Sequence, residues 1–249
     1  MKKILLKIDN LTKNYHTKDK EITAIKDLSF DIYENEILAL VGPSGCGKST
    51  LLSILANLEN KSGGNIIKEK NYKIGYMLQT DSLFPWLTVL ENCLLGLDIL
   101  KLKTKESIDN VINLLKKYGL YEFKDDYPNS LSGGMRQRVA LIRTLAINPD
   151  LILLDEPFSA LDYQTRLILS NDMYEIIKKE NKTALLITHN IEEAVSMADR
   201  VIVLSMRPCK VKNIYEIKLN NKKDPLSNRK DPNFNNYFDL IWRDLDVHI

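Results

Sequence analysis

The sequence predicts an α/β protein with a mostly parallel β-sheet and crossover helices. Short apolar runs typical of buried strands, among them residues 151–154 and 183–188, alternate with longer segments of helical periodicity. Another apolar run, residues 37–41, leads directly into a glycine-rich segment and a helix-compatible stretch. From about residue 85 to 130 the pattern is helical, which predicts an inserted subdomain between β-rich parts.

The predicted elements run from a β-rich start through the helical insertion and back to alternating strands and helices. The predicted strands lie at residues 4–8, 28–32, 37–41, 65–77, 151–154, 183–188, 201–204 and 211–219. The predicted helices lie at residues 47–58, 88–100, 105–120, 135–147, 162–179 and 191–198. We expect a polar connection between the first two strands, and we expect Gly119 to end its helix as the C′ residue.

The end of the chain has a separate character. Residues 220–230 are polar and basic and predict a loop, and Asp231-Pro232 predicts a helix start with proline in the first helical position. An apolar stripe at helical spacing follows, made of Phe234, Tyr237, Phe238, Ile241, Trp242 and Leu245. We expect this helix to dock on its own domain, and a contact with a partner or regulator is the alternative.

Composition and charge are those of an ordinary globular chain. Hydrophobic residues make up 44% of the 249 residues, charged residues make up 27%, and the net charge of +2 demands neither nucleic acid nor an anionic surface. The three widely spaced cysteines, Cys46, Cys93 and Cys209, predict reduced thiols in a cytosolic setting rather than disulfides or a metal site. Lys7 and Asp9 interrupt the first apolar run, and no window approaches about 18 apolar residues, so we expect neither signal peptide nor membrane span.

The glycine-rich segment GPSGCGKST matches the phosphate-binding pattern G-x-x-x-x-G-K-[ST]. Its glycines let the backbone turn and approach a polyphosphate closely, and the next helix adds its positive N-terminal end. Lys48 would reach the β and γ phosphates, and the Ser49 hydroxyl would coordinate Mg²⁺. The expected nucleotide-binding residues are Gly42, Pro43, Ser44, Gly45, Cys46, Gly47, Lys48, Ser49 and Thr50. A glycine-rich turn without a ligand is the alternative, which the flanking strand and helix disfavour.

Two carboxylates, Asp155 and Glu156, follow the apolar run 151–154. The two carboxylates would lie at the carboxyl end of a buried strand. Open α/β sheets bind their ligands at this edge. Asp155 fits the carboxylate that supports Mg²⁺ in nucleotide sites, and Glu156 could orient or deprotonate a water that attacks the γ-phosphate. Two solvated acids at a strand end are the alternative, which the upstream phosphate loop disfavours.

A third segment, LSGGMRQR at residues 131–138, predicts a second anion-binding site. Ser132 can cap a helix, and Gly133 and Gly134 expose its first N–H groups. Together with the phosphate loop and the strand ILLDEP, this segment resembles the ATP-binding subunits of ABC transporters. The resemblance covers nearly the whole chain and is weakest in roughly the last 40 residues. It implies a P-loop NTPase (RecA-like) core with a β-rich N-terminal part and an inserted α-helical subdomain.

The resemblance implies roles for single positions outside these motifs. Gln79 matches the glutamine whose amide touches Mg²⁺ and the attacking water, and His189 matches the switch histidine that contacts the γ-phosphate. Asp162 ends a segment, residues 159–162, that matches the loop crossing to the opposite subunit. Tyr15 aligns with the aromatic residue that stacks on adenine, with His16 as a less favoured substitute. 

Two positions depart from the usual family pattern. Asn190 stands where aspartate is usual, and Asn57 stands where a glycine usually ends the first helix. Asparagine tolerates the left-handed conformation of a helix C′ residue, so we expect neither change to remove activity.

The implied organisation has three parts. Residues 1–84 and 140–219 would form the nucleotide-binding α/β core, residues 85–139 the helical subdomain with the LSGG motif, and residues 220–249 a tail with an amphipathic helix. In the family, two subunits face head to tail, so ATP with Mg²⁺ on one phosphate loop is closed over by the LSGG of the other. The resemblance therefore implies an ATPase with a second copy of the same subunit as partner.

The resemblance also implies a membrane partner. The pore would come from separate integral membrane permease subunits, with the ATPase peripheral on the cytoplasmic face of the membrane and a solute-binding protein outside. The segment FPWLTV, residues 84–89, is similar to importers of the nitrate, sulfonate, taurine and bicarbonate group. The same variant occurs in importers of thiamine-precursor pyrimidines, so both solute classes stay open.

Three other functions are weighed against this one. An ABC ATPase acting on DNA or the ribosome would carry two cassettes in one chain or a long coiled-coil insertion between the nucleotide motifs. The sequence shows one cassette, a short insertion and no strong basic patch. A regulatory module without catalysis would lack one of Lys48, Glu156 or His189, and all three are present. A P-loop kinase or GTPase would not account for LSGGMRQR. We therefore expect no nucleic-acid partner.

Overall fold

The computed structural model describes residues 2–16, 20–68, 72–159, 161–220 and 222–245. The strands are β1 (Ile4–His16), β2 (Glu21–Tyr33), β3 (Ile37–Val41), β4 (Gly63–Lys68), β5 (Ile74–Met77), β6 (Leu151–Asp155), β7 (Thr183–Ile187), β8 (Arg200–Leu204) and β9 (Val211–Glu216). The helices are α1 (Lys48–Leu55), α2 (Val89–Ile99), α3 (Lys105–Lys117), α4 (Gly133–Ala146), α5 (Tyr163–Lys179), α6 (Ile191–Met197), α7 (Pro225–Asn228) and α8 (Phe234–Asp244).

A six-stranded sheet in the order β5-β6-β7-β3-β8-β9 forms the centre of the fold. All neighbouring strands run parallel except the edge pair β8 and β9. In β3 the odd positions, such as Ala39, pack into one hydrophobic cluster, and the even positions, such as Leu38, pack into another on the opposite face. Because both faces are covered, the strands are continuously apolar rather than alternating. The predicted α/β class with a mostly parallel sheet is confirmed.

A second, antiparallel sheet in the order β2-β1-β4 lies at the N-terminal part of the chain. The expected polar connection between the first two strands is wrong, because each strand runs for 13 residues through most of that segment. One face of this sheet is open to solvent, so its strands carry many polar residues. Lys13 is buried within β1 because its ammonium lies 2.6 Å from Glu59 and donates to the carbonyl of Asn60 at 2.7 Å.

The expected single strand over residues 65–77 is also corrected. This segment contains two strands that belong to different sheets: β4 pairs with β1, and β5 pairs with β6. Residues 69–71, between them, lie outside the described residues.

The helical insertion is built from helices with clear start and stop signals. Thr88 and Glu91 form a reciprocal capping box at the start of α2, and Thr104 and Ser107 do the same for α3. Gly119 has a φ of +70° two residues after α3 ends, as its sequence position predicts. Helix α4 then runs unbroken across residues 139 and 140, where the sequence places the domain boundary.

The tail packs on the core and departs from expectation at two places. The short helix α7 lies within the segment expected to be a loop. Helix α8 begins at Phe234 rather than at Pro232, because Asp231 instead closes the preceding turn by accepting N–H bonds from Asn220 and Asn233. The stripe of α8 does pack on its own domain: Phe234 and Ile241 are buried in the large core cluster.

None of the described helices is both long enough and apolar enough to cross a membrane. The three cysteines, Cys46, Cys93 and Cys209, are all buried and free.

Candidate functional site

The phosphate loop connects the central strand β3 to helix α1. Gly45 and Gly47 have φ values of +70° and +127°, a region of backbone conformation that side chains rarely permit. At Gly47 a Cβ would also meet the Ala24 carbonyl oxygen at 3.1 Å. These turns bring the chain directly to Lys48, the first residue of α1, with Gly47 as N-cap and no capping side chain. The free N–H groups of this helix start therefore point into the loop, as an anion site requires.

Lys48 is folded over the loop that precedes it. Its ammonium donates to the carbonyl oxygens of Gly42 at 2.7 Å and Pro43 at 2.9 Å, and the residue is only 6% exposed. Its Nζ also lies 3.9 Å from the Cys46 sulfur. A hydrogen bond with the Cys209 thiol, aided by Lys48, lowers the pKa of Cys46 against the opposing effect of burial.

A cavity of about 200 Å³ opens on this loop. Its lining residues are Ser44, Gly45, Gly47, Lys48, Ser49, Thr50, Glu156 and Arg207. The sequence predicts seven of these eight residues as part of the site and does not predict Arg207. No local sequence pattern identifies Arg207, because its place at the site follows from the strand order: it comes after β8, the parallel neighbour of β3, and so emerges at the same carboxyl edge of the sheet.

Asp155 ends β6 beside the start of α1. Its Oδ1 lies 3.4 Å from the Ser49 hydroxyl, and its Oδ2 accepts a hydrogen bond from the Tyr76 hydroxyl at 3.2 Å. Burial raises the pKa of Asp155 above its ordinary value, and the two hydroxyl contacts offset that only in part. Ser49 and Asp155 supply two adjacent hard oxygen donors and leave the remaining positions for phosphate and water, which is the ligand set that Mg²⁺ prefers. Ser49 and Asp155 are therefore suitable ligands for Mg²⁺.

Glu156 and His189 meet at the ends of the neighbouring strands β6 and β7. The His189 Nδ1 lies 3.1 Å from the Glu156 Oε2. Glu156 has a φ of +46°, unusual for a residue with a side chain, and its N–H donates to the Ile187 carbonyl at 2.9 Å. This turn aims its carboxylate into the cavity that Lys48 lines.

Gln79 lies next to the same turn. Its amide Nε2 donates to the Ser159 hydroxyl at 3.0 Å, and that hydroxyl donates to the Glu156 carbonyl at 3.0 Å. The structure therefore brings Gln79 to the backbone of Glu156, and its amide hydrogen bond goes to Ser159 rather than to Ser49 or Asp155.

Two arginines of α4 bind the segment that follows Gln79. Arg143 donates to the backbone carbonyls of Asp81 and Ser82, each at 2.7 Å. The Arg136 guanidinium lies 2.9 Å from the Asp81 carboxylate and also donates to the Leu131 carbonyl at 2.8 Å. The glutamine segment is thereby tied to the helix that begins at the LSGG motif.

The LSGG residues lie at the start of α4. Ser132 is the N-cap, and its hydroxyl accepts a bond from the Met135 N–H at 3.3 Å. Gly133 and Gly134 form the first turn. Among the described residues that line the phosphate-loop cavity, none belongs to this motif. Within one chain, the two predicted anion sites are separate.

Three more predicted positions can be placed. Asp162 is the N-cap of α5, where its Oδ1 accepts the Thr165 N–H at 3.0 Å, and Ala160 of the same segment lies outside the described residues. The Tyr15 hydroxyl lies 3.5 Å from the Thr50 hydroxyl, so its ring, 37% exposed, stands beside the end of the phosphate loop. His16 instead lies 4.0 Å from Glu21.

Both asparagines that depart from the family pattern keep a structural role. Asn57 has a φ of +58° just after α1, as its predicted C′ position requires. Asn190 is the N-cap of α6, and its side chain accepts the Glu193 N–H at 3.1 Å.

Comparison with known proteins gives a consistent result. The family model described as ABC transporter matches residues 25–159. An uncharacterized ABC transporter ATP-binding protein of Bacillus subtilis, YtlC, is 45% identical over 97% of this chain and 95% of its own length.

Two further relatives are named as ATP-binding proteins of import systems. The formylaminopyrimidine import ATP-binding protein ThiZ of Halalkalibacterium halodurans is 42% identical over 74% of this chain and 74% of that protein. The nitrate import ATP-binding protein NrtD of Synechocystis is 37% identical over 95% of this chain and 93% of that protein.

Among solved structures, the fold is similar to the ATP-binding cassette MJ0796. The matching structure is a dimeric post-hydrolysis state bound to ADP and Pi. The TM-score is 0.71 at 33% identity, covering 86% of this chain and 99% of that one.

Proposed function

The chain belongs to the ABC transporter family of ATP-binding proteins and is an ATPase, and we propose that it drives solute import through separate permease subunits. The main support for catalysis at this site is the position of Glu156. Glu156 lines the same cavity as Lys48 and Ser49, and its carboxylate is held 3.1 Å from His189. A phosphate-binding loop, a buried cation and an oriented carboxylate are the parts that phosphoryl transfer to water needs.

Binding of ATP would use the loop backbone and two side chains. The N–H groups at the start of α1 and the Lys48 ammonium would hold the phosphates, and Tyr15 would stack on adenine. Ser49 and Asp155, with Gln79 nearby, would hold Mg²⁺, which neutralises charge developing on the phosphate oxygens when bound. The remaining loop residues would contribute backbone contacts.

Glu156 would act on the attacking water. Its carboxylate would accept a hydrogen bond from the water and take up its proton as the bond to phosphorus forms. His189 would fix the orientation of that carboxylate and contact the γ-phosphate. The Ser159 hydroxyl links Gln79 to the Glu156 carbonyl, which supports a role for Gln79 in adjusting this turn.

The site would be completed by a second copy of the chain. Ser132, Gly133 and Gly134 form a helix start with free N–H groups that lies apart from the cavity of their own chain. A head-to-tail pair would bring this helix start onto the phosphates of the partner, with Asp162 on the loop that crosses between subunits. The dimeric state of the similar cassette supports this arrangement.

A permease would dock at the segment that follows Gln79. Phe84 and Trp86 form an exposed aromatic pair there, with ring centroids 5.2 Å apart and Trp86 68% exposed. Exposed aromatic residues of this kind are typical of binding surfaces. We place the subunit on the cytoplasmic face of the membrane, opposite a solute-binding protein on the other side.

For the solute we propose the nitrate, sulfonate and taurine type. The relative with a nitrate import name matches 95% of this chain, and the FPWLTV segment supports the same group. The relative with a formylaminopyrimidine import name matches 74% of this chain at slightly higher identity, so thiamine-precursor pyrimidines are the alternative.

The test is co-purification followed by transport. The tagged chain is isolated from detergent-treated membranes of its native host, and the permease that accompanies it is reconstituted in proteoliposomes with its binding protein. We expect ATP hydrolysis and uptake to be stimulated by nitrate or an alkyl sulfonate, with a Glu156→Gln subunit as the control without turnover. Stimulation by formylaminopyrimidine alone would select the alternative solute. Recovery with nucleic acid and without any membrane protein would contradict the importer function.

A further inference from the structure

Arg207 stands at the phosphate loop without being part of any recognised motif. It lies in the turn between β8 and β9, and its Nη2 donates to the Gly45 carbonyl at 2.7 Å. It lines the same cavity as Lys48 and Glu156. The contact joins two segments that are 162 positions apart in the sequence.

The turn that carries Arg207 is fixed on both sides. Ser205 and Lys210 exchange two hydrogen bonds with each other, through the Ser205 N–H at 2.9 Å and the Ser205 hydroxyl at 3.0 Å. The Cys209 backbone is bonded to β2, donating to the Ala24 carbonyl at 2.9 Å and accepting the Lys26 N–H at 3.1 Å. The base of the Arg207 side chain is therefore held in place beside the loop.

The guanidinium keeps most of its hydrogen-bonding capacity. It carries five N–H donors, and the contact with Gly45 uses one nitrogen. Among the described residues no carboxylate lies in an ion pair with it, and Arg207 is exposed and lines the cavity. A planar cation with free donors, beside a helix start and a lysine, matches the geometry by which arginine recognises phosphate.

We propose that Arg207 is a further phosphate-binding residue of the ATP site, contacting the terminal phosphates as a second side-chain cation beside Lys48. The proposal rests on the ATP-binding function of the loop. The terminal phosphates are favoured because Arg207 shares its cavity with Glu156, the residue proposed to act at the γ-phosphate. The hydrogen bond from Nη2 to the Gly45 carbonyl holds the guanidinium at the cavity, and its other N–H groups remain available to the ligand.

The test compares affinities for nucleotides that differ in phosphate number. Isothermal titration of the full-length chain measures Kd for ATP, ADP and AMP in wild type, Arg207→Gln and Arg207→Lys. The matched control is Lys210→Gln, which removes an exposed cation from the same turn. We expect Arg207→Gln to weaken ATP binding about tenfold and AMP binding less than about twofold, since the lost bonds go to charged phosphates. Arg207→Lys should recover part of the loss, and Lys210→Gln should bind as wild type does.

The salt dependence of binding gives a second readout. The slope of log Kd for ATP against log salt concentration should decrease in Arg207→Gln and stay unchanged in Lys210→Gln, because one ionic contact is lost. An equal loss for ATP and AMP would mean that Arg207 only shapes the loop and would overturn the proposal. So would an ATP affinity of Arg207→Gln within about twofold of wild type. A wild-type chain without measurable ATP binding would instead overturn the proposed function itself.

Discussion

The imidazole Nδ1 of His189 lies 3.1 Å from the Oε2 of Glu156, although the two residues are 33 positions apart. The contact exists because β6 and β7 are parallel neighbours, so both residues leave the sheet at the same edge. It gives the Glu156 carboxylate a fixed partner next to the phosphate loop. This pair positions the Glu156 carboxylate for the catalytic role that we propose for it.

Replacing Glu156 with glutamine should abolish turnover while sparing binding. The amide keeps the shape of the side chain but cannot take up a proton from water, so we expect kcat to fall at least about a hundredfold, or about 2.7 kcal/mol of barrier. Phosphate release measures kcat, and titration measures ATP affinity, which should stay within about twofold. Turnover within a few-fold of wild type would remove Glu156 from this role.

The same assay extended to His189→Gln and to the double variant tests whether the two act together. If His189 works by orienting Glu156, its replacement should cost little more once Glu156 is already glutamine. Additive losses would show that the two residues act independently.

Replacing Lys48 with alanine should weaken nucleotide binding itself. The variant removes a cation from the loop and leaves the carbonyls of Gly42 and Pro43 without their donor. We expect ATP affinity to fall by about tenfold or more, measured by titration. Lys61→Ala is the matched control, because Lys61 also donates to a backbone carbonyl, that of Gly64 in β4 at 2.6 Å, and does not line the cavity. Unchanged ATP affinity in Lys48→Ala would count against the phosphate-loop assignment.

Asp199 should contribute pH-dependent stability. Its carboxylate accepts the Ile37 N–H and lies 2.8 Å from the ammonium groups of both Lys178 and Lys222. Burial opposes ionisation, but the two lysines outweigh it and hold the pKa of Asp199 below its ordinary value. The stabilisation is therefore present above the unfolded-state pKa of about 4 and is lost as the pH falls through the lower folded-state value.

Asp199→Asn should accordingly lose about 2 kcal/mol of unfolding free energy at pH 7 and show a smaller deficit near pH 3, measured by urea unfolding. The control is Asp98→Asn, an exposed pair with Lys103, which should change stability by less than about 0.5 kcal/mol. A deficit for Asp199→Asn that does not shrink in acid would contradict the electrostatic explanation.

Asn92 should hold the aromatic segment that precedes α2. It is fully buried, and its amide donates to the carbonyls of Phe84, Leu87 and Thr88 while its oxygen accepts the Phe84 N–H. Asn92→Ala removes the partner of the Phe84 N–H and of the Leu87 carbonyl, whereas the Phe84 and Thr88 carbonyls keep backbone N–H donors. We therefore expect a loss of about 2 kcal/mol of unfolding free energy and faster proteolysis between residues 84 and 87. Asn110→Ala, on the exposed side of α3, serves as control. Equal protease resistance of both variants would refute this role.

The parts that the sequence predicts well are those in which one local pattern carries the information. The phosphate loop needs glycines at set positions, and strands buried on both faces, such as β3 and β7, stand out as short apolar runs. The antiparallel strands are longer than the sequence predicts because one face meets solvent, so exposed polar residues such as Asn10 and Lys26 occur within them.

The residues missed at the site depend on sheet order, which no local pattern contains. Arg207 reaches the loop because β8 lies beside β3, and Tyr76 reaches Asp155 because β5 lies beside β6. The start of α8 differs from the predicted one for a related reason: the Asp231 side chain accepts a hydrogen bond from the Asn220 N–H, eleven residues away.

The position of β3 in the middle of its sheet has a consequence for how ligand binding can be observed. All five of its residues are buried, and it is hydrogen-bonded to β7 on one side and β8 on the other. Backbone amides in such a strand exchange with solvent only when the whole core unfolds. The phosphate loop continues directly from this strand, so the loop is lost only when the core unfolds. A nucleotide bound to the loop should therefore stabilise the protein against global unfolding rather than against a local opening. ATP at a hundred times its Kd should raise the unfolding free energy by about 2.7 kcal/mol, so the melting temperature of the whole core becomes a binding assay.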